Sequence, residues 1–195
     1  MREMILTAAM RLFLEESFEK TTMRRIAEAI EYTPGALYGY FKDKNEILYA
    51  LHVRGFEELV ARLESALVGL TDPAERLAAI GRAYIRFAFD NPQQYDLMFL
   101  AKSTAKKIIE DAEWACGLRA YDILSTEVAN LVQHRGSSTN PDVAAFACWS
   151  MVHGLVSLVI ADRAVFLPED NLRGIVDAAF DHYLALVDGI GRGGR

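Results

Sequence analysis

Apolar residues recur three and four positions apart along most of the chain, the spacing that lines one face of an α-helix. Ile5, Ala8, Ala9, Leu12 and Phe13 form the first stripe and predict a helix over residues 3–16. Ile26, Ala27 and Ile30 form the second, over residues 23–30, behind Thr22, whose hydroxyl suits a free N–H of the first turn. Glu31 and Tyr32 make a corner. Thr33 then caps the next helix and Pro34 takes its first position, where a missing N–H costs nothing. Leu37 and Phe41, four apart, share the inward face of that helix. Asp43, with Glu46 three residues on, opens a fourth helix with a reciprocal cap that is predicted to reach about Leu70.

The same punctuation continues. Asp72-Pro73-Ala74-Glu75 starts a helix carrying Leu77, Ile80, Tyr84, Phe87 and Ala88 inward, and Asn91-Pro92 caps a short one. A long helix is predicted over residues 105–133, then a turn-rich loop. Asn140-Pro141 opens a helix to about Arg163, and Pro168 opens the last, to about Asp188, before a fraying Gly-rich tail. The fold class is therefore all-α, with about nine helices. The longest apolar stretch, residues 144–161, holds Ser150, His153, Gly154 and Ser157 and falls short of the roughly 20 residues of a membrane span. It is expected to be a buried helix.

A chain of 195 residues with 52% hydrophobic content can bury a sizeable core. Its formal charge of −6 excludes a protein that coats nucleic acid generally, because such binding neutralises phosphates. Locally the balance reverses. Residues 20–44 carry five basic side chains against three acidic ones, a net +2, which leaves −8 for the rest. Cys116 and Cys148 lie in apolar runs without metal-ligand spacing, as reduced thiols of a cytoplasmic protein would. No basic start followed by an apolar run marks a secretory signal, and no cofactor or metal is expected.

Two short capped helices across a tight corner read as a helix-turn-helix, whose second helix enters the DNA major groove. With Leu37 and Phe41 inward, Pro34, Ala36, Tyr38 and Tyr40 remain for the outer surface. Thr22, Tyr38, Tyr40 and Lys44 suit phosphate oxygens. Thr33, the Pro34-Gly35-Ala36 start and one of Arg24 or Arg25 suit base edges, since a small side chain meets a thymine methyl and arginine meets guanine. The opposing reading is that the aromatic residues are simply core.

Residues 5–48, ILTAAMRLFLEESFEKTTMRRIAEAIEYTPGALYGYFKDKNEIL, also resemble the tetracycline-repressor-like (TetR/AcrR) transcriptional regulators. The shared pattern is a helix with AA…LF, then T-x-R-x-IA, then G-x-LY-x-x-F-x-x-K. The resemblance implies a three-helix DNA-binding domain over 1–46 and a helical effector-binding and dimerisation domain over 47–195. It also implies phosphate contacts at Thr22, Tyr38 and Lys44. The chain departs from the family at the corner, where Glu31 replaces a usual glycine and Tyr32 a small aliphatic, and at Ser17, another usual glycine. A left-handed backbone there costs a non-glycine residue roughly 1–2 kcal/mol. The basic arm of many relatives is missing before the first helix, so minor-groove contact is not expected.

The body resembles the subset of that family named for a Trp-His-Gly signature, here Trp149 to Leu155 (WSMVHGL), with FAFDNPQQYDLMF over residues 87–99. Ala147, Ser150, Gly154, Ser157 and Ala161 form a ridge of small residues. The last helix presents Phe180, Tyr183, Leu184 and Val187 at similar spacing. As in relatives, these two helices are expected to pair with their copies in a four-helix homodimer interface. Phe87, Tyr95, Met98, Phe99, Trp114 and Tyr121, with Trp149 and Met151, can line an apolar effector cavity with His153 as its polar anchor. Read blandly, they are core, and His153 is a buried hydrogen-bonded histidine. The function implied is a homodimeric, ligand-responsive repressor of a near-palindromic operator, not an enzyme. The alternatives are a protein-binding helical adaptor or a small enzyme using His153, for which no nucleophile or metal partner is identifiable.

Overall fold

The computed structural model describes residues 1–100 and 115–190, and the side chains of 115–116 and 188–190 are outside the description. The described residues form nine α-helices and no strand. They are α1 (Arg2–Glu15), α2 (Met23–Ala29), α3 (Pro34–Tyr38), α4 (Lys44–Ala66), α5 (Pro73–Asp90), α6 (Pro92–Tyr95), α7 (Ala115–His134), α8 (Pro141–Ile160) and α9 (Leu172–Ile190). A single π turn, Asp96–Leu100, continues α6, and a 3-10 turn, Glu169–Asn171, precedes α9. The expected all-α class and helix number are met. The fourth helix stops at Ala66, short of Leu70, and the eighth at Ile160, short of Arg163.

Two compact units are present. The first comprises Met1–Glu58 with Asn91–Cys116, and the second Leu59–Asp90 with Gly117–Arg195. The first is thus larger than the segment 1–46 set apart from the sequence. Its core joins Ile5, Leu6, Leu12 and Phe13 of α1 to Ile26 and Ala27 of α2, Leu37 of α3, Phe41, and Ile47, Leu48 and Leu51 of α4, with Leu97 from the π turn. Removing this apolar area from water is what holds helices as short as α2 and α3 in place, since neither is long enough to persist alone.

Three of the caps form as expected. Thr22 accepts the Arg25 N–H at 3.1 Å, Asp72 accepts those of Ala74 and Glu75 at 2.9 Å, and Asn140 accepts that of Asp142 at 2.8 Å. Three differ. Thr33 occupies the cap position of α3 without a side-chain bond, because the Ala36 N–H turns to the Thr33 carbonyl at 3.0 Å. Asn91 likewise makes no side-chain cap, its amide donating to Glu58 Oε1 at 3.3 Å. Asp43 accepts from Asn45 and Glu46 as foreseen, but Glu46 accepts from the Lys42 N–H rather than from that of Asp43.

The corner after α2 closes by two bonds, Glu31 N–H to the Glu28 carbonyl (3.2 Å) and Tyr32 N–H to the Ala27 carbonyl (2.9 Å). This arrangement places a left-handed residue just beyond the helix cap. Glu31 fills it at φ 60°, and Ser17 sits at φ 76° after α1, so both departures from the family's glycines fall on left-handed backbone. Glu31→Gly should therefore stabilise the protein by about 0.5–1 kcal/mol, the relief of the left-handed penalty less the extra freedom of glycine when unfolded. The midpoint of urea unfolding measures it.

In the second unit Arg76 reaches Glu127 with two bonds of 2.7 and 2.8 Å while its other donor nitrogen meets the Leu70 carbonyl at 2.9 Å. This compensates the burial of the Glu127 carboxylate. Phe180 of α9 lies on Gly81 of α5, where a Cβ would overlap its ring. The expectation that residues 144–161 are buried is overturned. α8 spans 20 residues and holds an 18-residue window with a mean hydropathy of 2.0, enough by length and composition to cross a membrane, yet only 17% of that window is buried. Ala145, Val152 and Val156 face inward, while Val143, Phe146, Met151 and Leu158 are exposed.

Candidate nucleic-acid interface

The α2–α3 pair presents two contrasting faces. Leu37 and Phe41 are buried with Ile26, at 0, 2 and 0% exposure, whereas Tyr38 and Tyr40 stand 57 and 48% exposed. Thr33 and Gly35 are also exposed, and Pro34 and Ala36 partly so. The five-residue length of α3 explains the split. Leu37 is its one buried residue, and the chain beyond the Gly39 cap carries Phe41 back into the core. Of the expected outward residues, none is hidden.

The arginines are exposed and already paired. Arg24 Nε lies 2.9 Å from Glu28 Oε1, one turn along α2, and Arg25 reaches Glu16 Oε1 with Nε at 3.0 Å and Nη2 at 2.9 Å. The bond to Glu16 raises the Arg25 pKa. Exposed pairs of this kind are worth little, up to about 1 kcal/mol, so a phosphate or guanine can replace the carboxylate. Thr22 is exposed, and its oxygen is engaged by the Arg25 N–H. Lys44 turns toward its own fold. Its ammonium donates to the carbonyls of Phe18 (2.6 Å), Thr21 (3.0 Å) and Glu19 (3.2 Å) and lies 4.4 Å from the Phe18 ring centre. Its three donors thus have carbonyls within reach in the DNA-free chain.

The residues expected to line an effector cavity fall into two groups. In the first unit Tyr95 and Met98 are buried, and Phe99 contacts both Tyr95 (4.9 Å between ring centres) and Phe56 (5.5 Å). In the second, Tyr121, Trp149 and His153 cluster, with ring centres 6.2 and 5.7 Å apart across Trp149, while Phe87 is fully buried. His153, half-buried, has Nδ1 3.3 Å from the Tyr84 hydroxyl, and burial lowers its pKa. Met151 does not join them. Two positions along a helix from both Trp149 and His153, it points the other way and is 36% exposed. Trp114 lies outside the described residues.

Sequence reasoning missed His52. It sits on the inward face of α4, 2% exposed, stacked at 6.5 Å on Phe56, and among the described residues neither ring nitrogen has a hydrogen-bond partner. Burial pushes its pKa down to about 4. Its signal was a titratable residue four positions from both Leu48 and Phe56 on an apolar stripe.

Of the residues expected at a subunit interface, Ser150 and Ala161 are exposed, and Gly154 and Ser157 partly so. A Cβ on Gly154 would meet nothing within 4 Å. On α9, Leu184 and Val187 are half-buried, as is Tyr183, whose hydroxyl lies 3.4 Å from Cys148 Sγ. Burial raises the pKa of both groups in that contact. Phe180 belongs to the core of its own subunit, 3% exposed, because Gly81 leaves room for its ring.

Two family patterns cover most of the chain. Residues 5–51 match the pattern described as "Bacterial regulatory proteins, tetR family", and residues 77–186 that described as "Tetracyclin repressor-like, C-terminal domain". The chain is 31% identical over 110 residues to the HTH-type transcriptional regulator HbdR of Aromatoleum sp. strain CIB, covering 56% of this chain and 47% of that protein. It is 28% identical over 113 residues to the HTH-type transcriptional repressor AcnR of Corynebacterium efficiens, covering 58 and 53%. The matches thus span about half the length of these curated relatives, which are transcriptional regulators rather than enzymes. Among solved structures, the TetR family regulator PfmR of Thermus thermophilus superposes with a TM-score of 0.72 at 25% identity, over 94% of this chain and 95% of that one. FadR of Bacillus subtilis, solved with stearoyl-CoA, shares the fold with a TM-score of 0.73 at 17% identity, over 93 and 96%. The chain belongs to the tetracycline repressor (TetR) family of bacterial regulatory proteins.

Proposed function

We propose that this protein is a homodimeric, effector-responsive repressor, cytoplasmic, in which residues 1–46 read DNA and 47–195 sense a small apolar molecule and pair two subunits. The observation that carries the reading is the division of the α3 region into a buried Leu37 and Phe41 and an exposed Tyr38 and Tyr40. Thr33, Pro34, Gly35 and Ala36 form the small leading edge that approaches bases, with Arg24 or Arg25 beside them. Thr22, Tyr38 and Tyr40 hold phosphates. Two copies must meet successive grooves about 34 Å apart, so the operator is near-palindromic.

Pairing is supported by α8. Val143, Ala147, Ser150, Met151, Gly154, Leu158 and Ala161 fall on one side of the helix, none of them buried in the chain. A second copy of α8, with α9 flanking each, would cover that apolar stripe. An effector releases DNA when it favours a subunit conformation that does not fit the operator. A swing from 1:99 to 99:1 needs roughly 10⁴-fold preference for one state, and DNA must weaken effector binding by the same factor. Tyr38→Phe tests the DNA face. Loss of one hydroxyl–phosphate bond should weaken operator binding about tenfold per half-site, at about 1.5 kcal/mol, for any sequence. Gel-shift titration at fixed salt measures it, and unchanged affinity removes Tyr38 from the interface.

A further inference from the structure

The Phe18–Thr21 segment links α1 to α2 and is held from several directions. Phe18 is buried edge-on against Phe13, with ring centres 5.1 Å apart. Thr21 is fully buried, and its hydroxyl meets the carbonyls of Ser17 at 2.9 Å and Leu12 at 3.2 Å. Three carbonyls of the segment, those of Phe18, Glu19 and Thr21, then converge on the Lys44 ammonium from the start of α4, above the Phe18 ring. The next residue is Thr22, the side-chain cap of α2.

We propose that Lys44 is a positioning residue, a clasp that fixes the Phe18–Thr21 segment and through it Thr22 and the start of α2, rather than a phosphate contact. An ammonium has three donors, and here each has a carbonyl. Bonds from a charged donor are stronger than neutral ones, and a cation over an aromatic face adds to them. To grip a phosphate, Lys44 would have to release part of the segment that sets the cap of α2. Its contribution to DNA binding is therefore made before DNA arrives.

The inference rests on the DNA-binding reading for its consequence but not for its geometry, and two measurements separate them. The first is amide exchange of the DNA-free protein. Lys44→Met keeps the alkyl stem over Phe18 and removes the donors, so exchange at Thr21 to Arg25 should quicken about tenfold or more. Thr21→Val, which removes no charge, should do the same by freeing the segment from Leu12 and Ser17, and it carries the test where Lys44→Met does not fold. The second is affinity for a labelled duplex from the protein's own upstream DNA across a salt series. Each phosphate contact contributes about 0.9 to the slope of log K against log salt. Both variants should lose about tenfold in affinity with the slope unchanged, while Lys44→Arg restores it. A slope lower by about 0.9 for Lys44→Met, with exchange unaltered, overturns the clasp. Unaltered exchange overturns it also if the protein binds no DNA, a result that would separately end the regulator reading.

Discussion

Gly154→Leu should leave each subunit folded and drive the pair apart, weakening dimerisation about a hundredfold or more. The first half follows from the space around Gly154, where an added Cβ meets nothing within 4 Å in its own chain. The second half follows from the neighbours one and two turns away. Ser150, Ser157 and Ala161 keep that ridge of α8 low, which lets a second backbone come close. A leucine side chain inserted at such a crossing has no volume to occupy, and overpacking of this kind typically costs 1–3 kcal/mol. It is met twice across an isologous contact. Gly154→Ala, one methyl instead of four heavy atoms, should be far milder. Sedimentation equilibrium reads the result, and a leucine variant with an intact dimer would place the interface elsewhere.

Acid should destabilise the protein through His52, by up to about 3 kcal/mol between neutral pH and pH 4. The ring is buried with neither nitrogen bonded among the described residues, and its pKa is lowered to about 4 from 6.5. The folded state therefore holds it neutral. Above pH 6.5 the ring is neutral whether folded or unfolded, and the full stability is present. Below that the unfolded chain takes up a proton that the folded chain refuses, so stability falls by about 1.4 kcal/mol per pH unit until the folded ring also titrates near pH 4. Denaturant unfolding at pH 7 and pH 4.5 measures the loss, and His52→Leu should remove most of it. Asp90 acts in a lower window. Bonded to Arg62 and Arg173, its carboxyl titrates below the usual carboxylate range, so what it contributes is present at neutral pH and lost as pH falls through that lower value. A variant that keeps the full slope above pH 4.5 would assign the acid sensitivity to other groups.

What the sequence made legible was local. Thr22, Asp72 and Asn140 cap as their positions foretold, because a cap is decided within three residues. The place of the corner at Glu31 was legible for the same reason, while its left-handed backbone was signalled by the glycine that the family usually carries there. The low ridge of α8 could be read from spacing, but its exposure could not, because an apolar helix looks alike whether its own chain or a second one covers it. Contacts across long separations were illegible. Phe180 is core only because Gly81, 99 residues earlier, leaves space for its ring. Lys44 was assigned outward by its place in a motif, whereas carbonyls 23 to 26 residues before it turn it inward. A cavity was not legible either, because aromatic side chains at helical spacing look the same in a core as in a pocket. The opposite directions of Met151 and Trp149 were nonetheless available from helical geometry.

The central claim, that the surface led by Ala36 and Tyr38 meets duplex DNA, is tested most directly by fluorescence polarisation of a labelled duplex from the protein's own upstream region. Saturable binding at low salt is expected, with log affinity falling linearly as log salt rises and with preference over an unrelated duplex of equal length. Unchanged polarisation across the titration, or equal affinity for both duplexes, would contradict it.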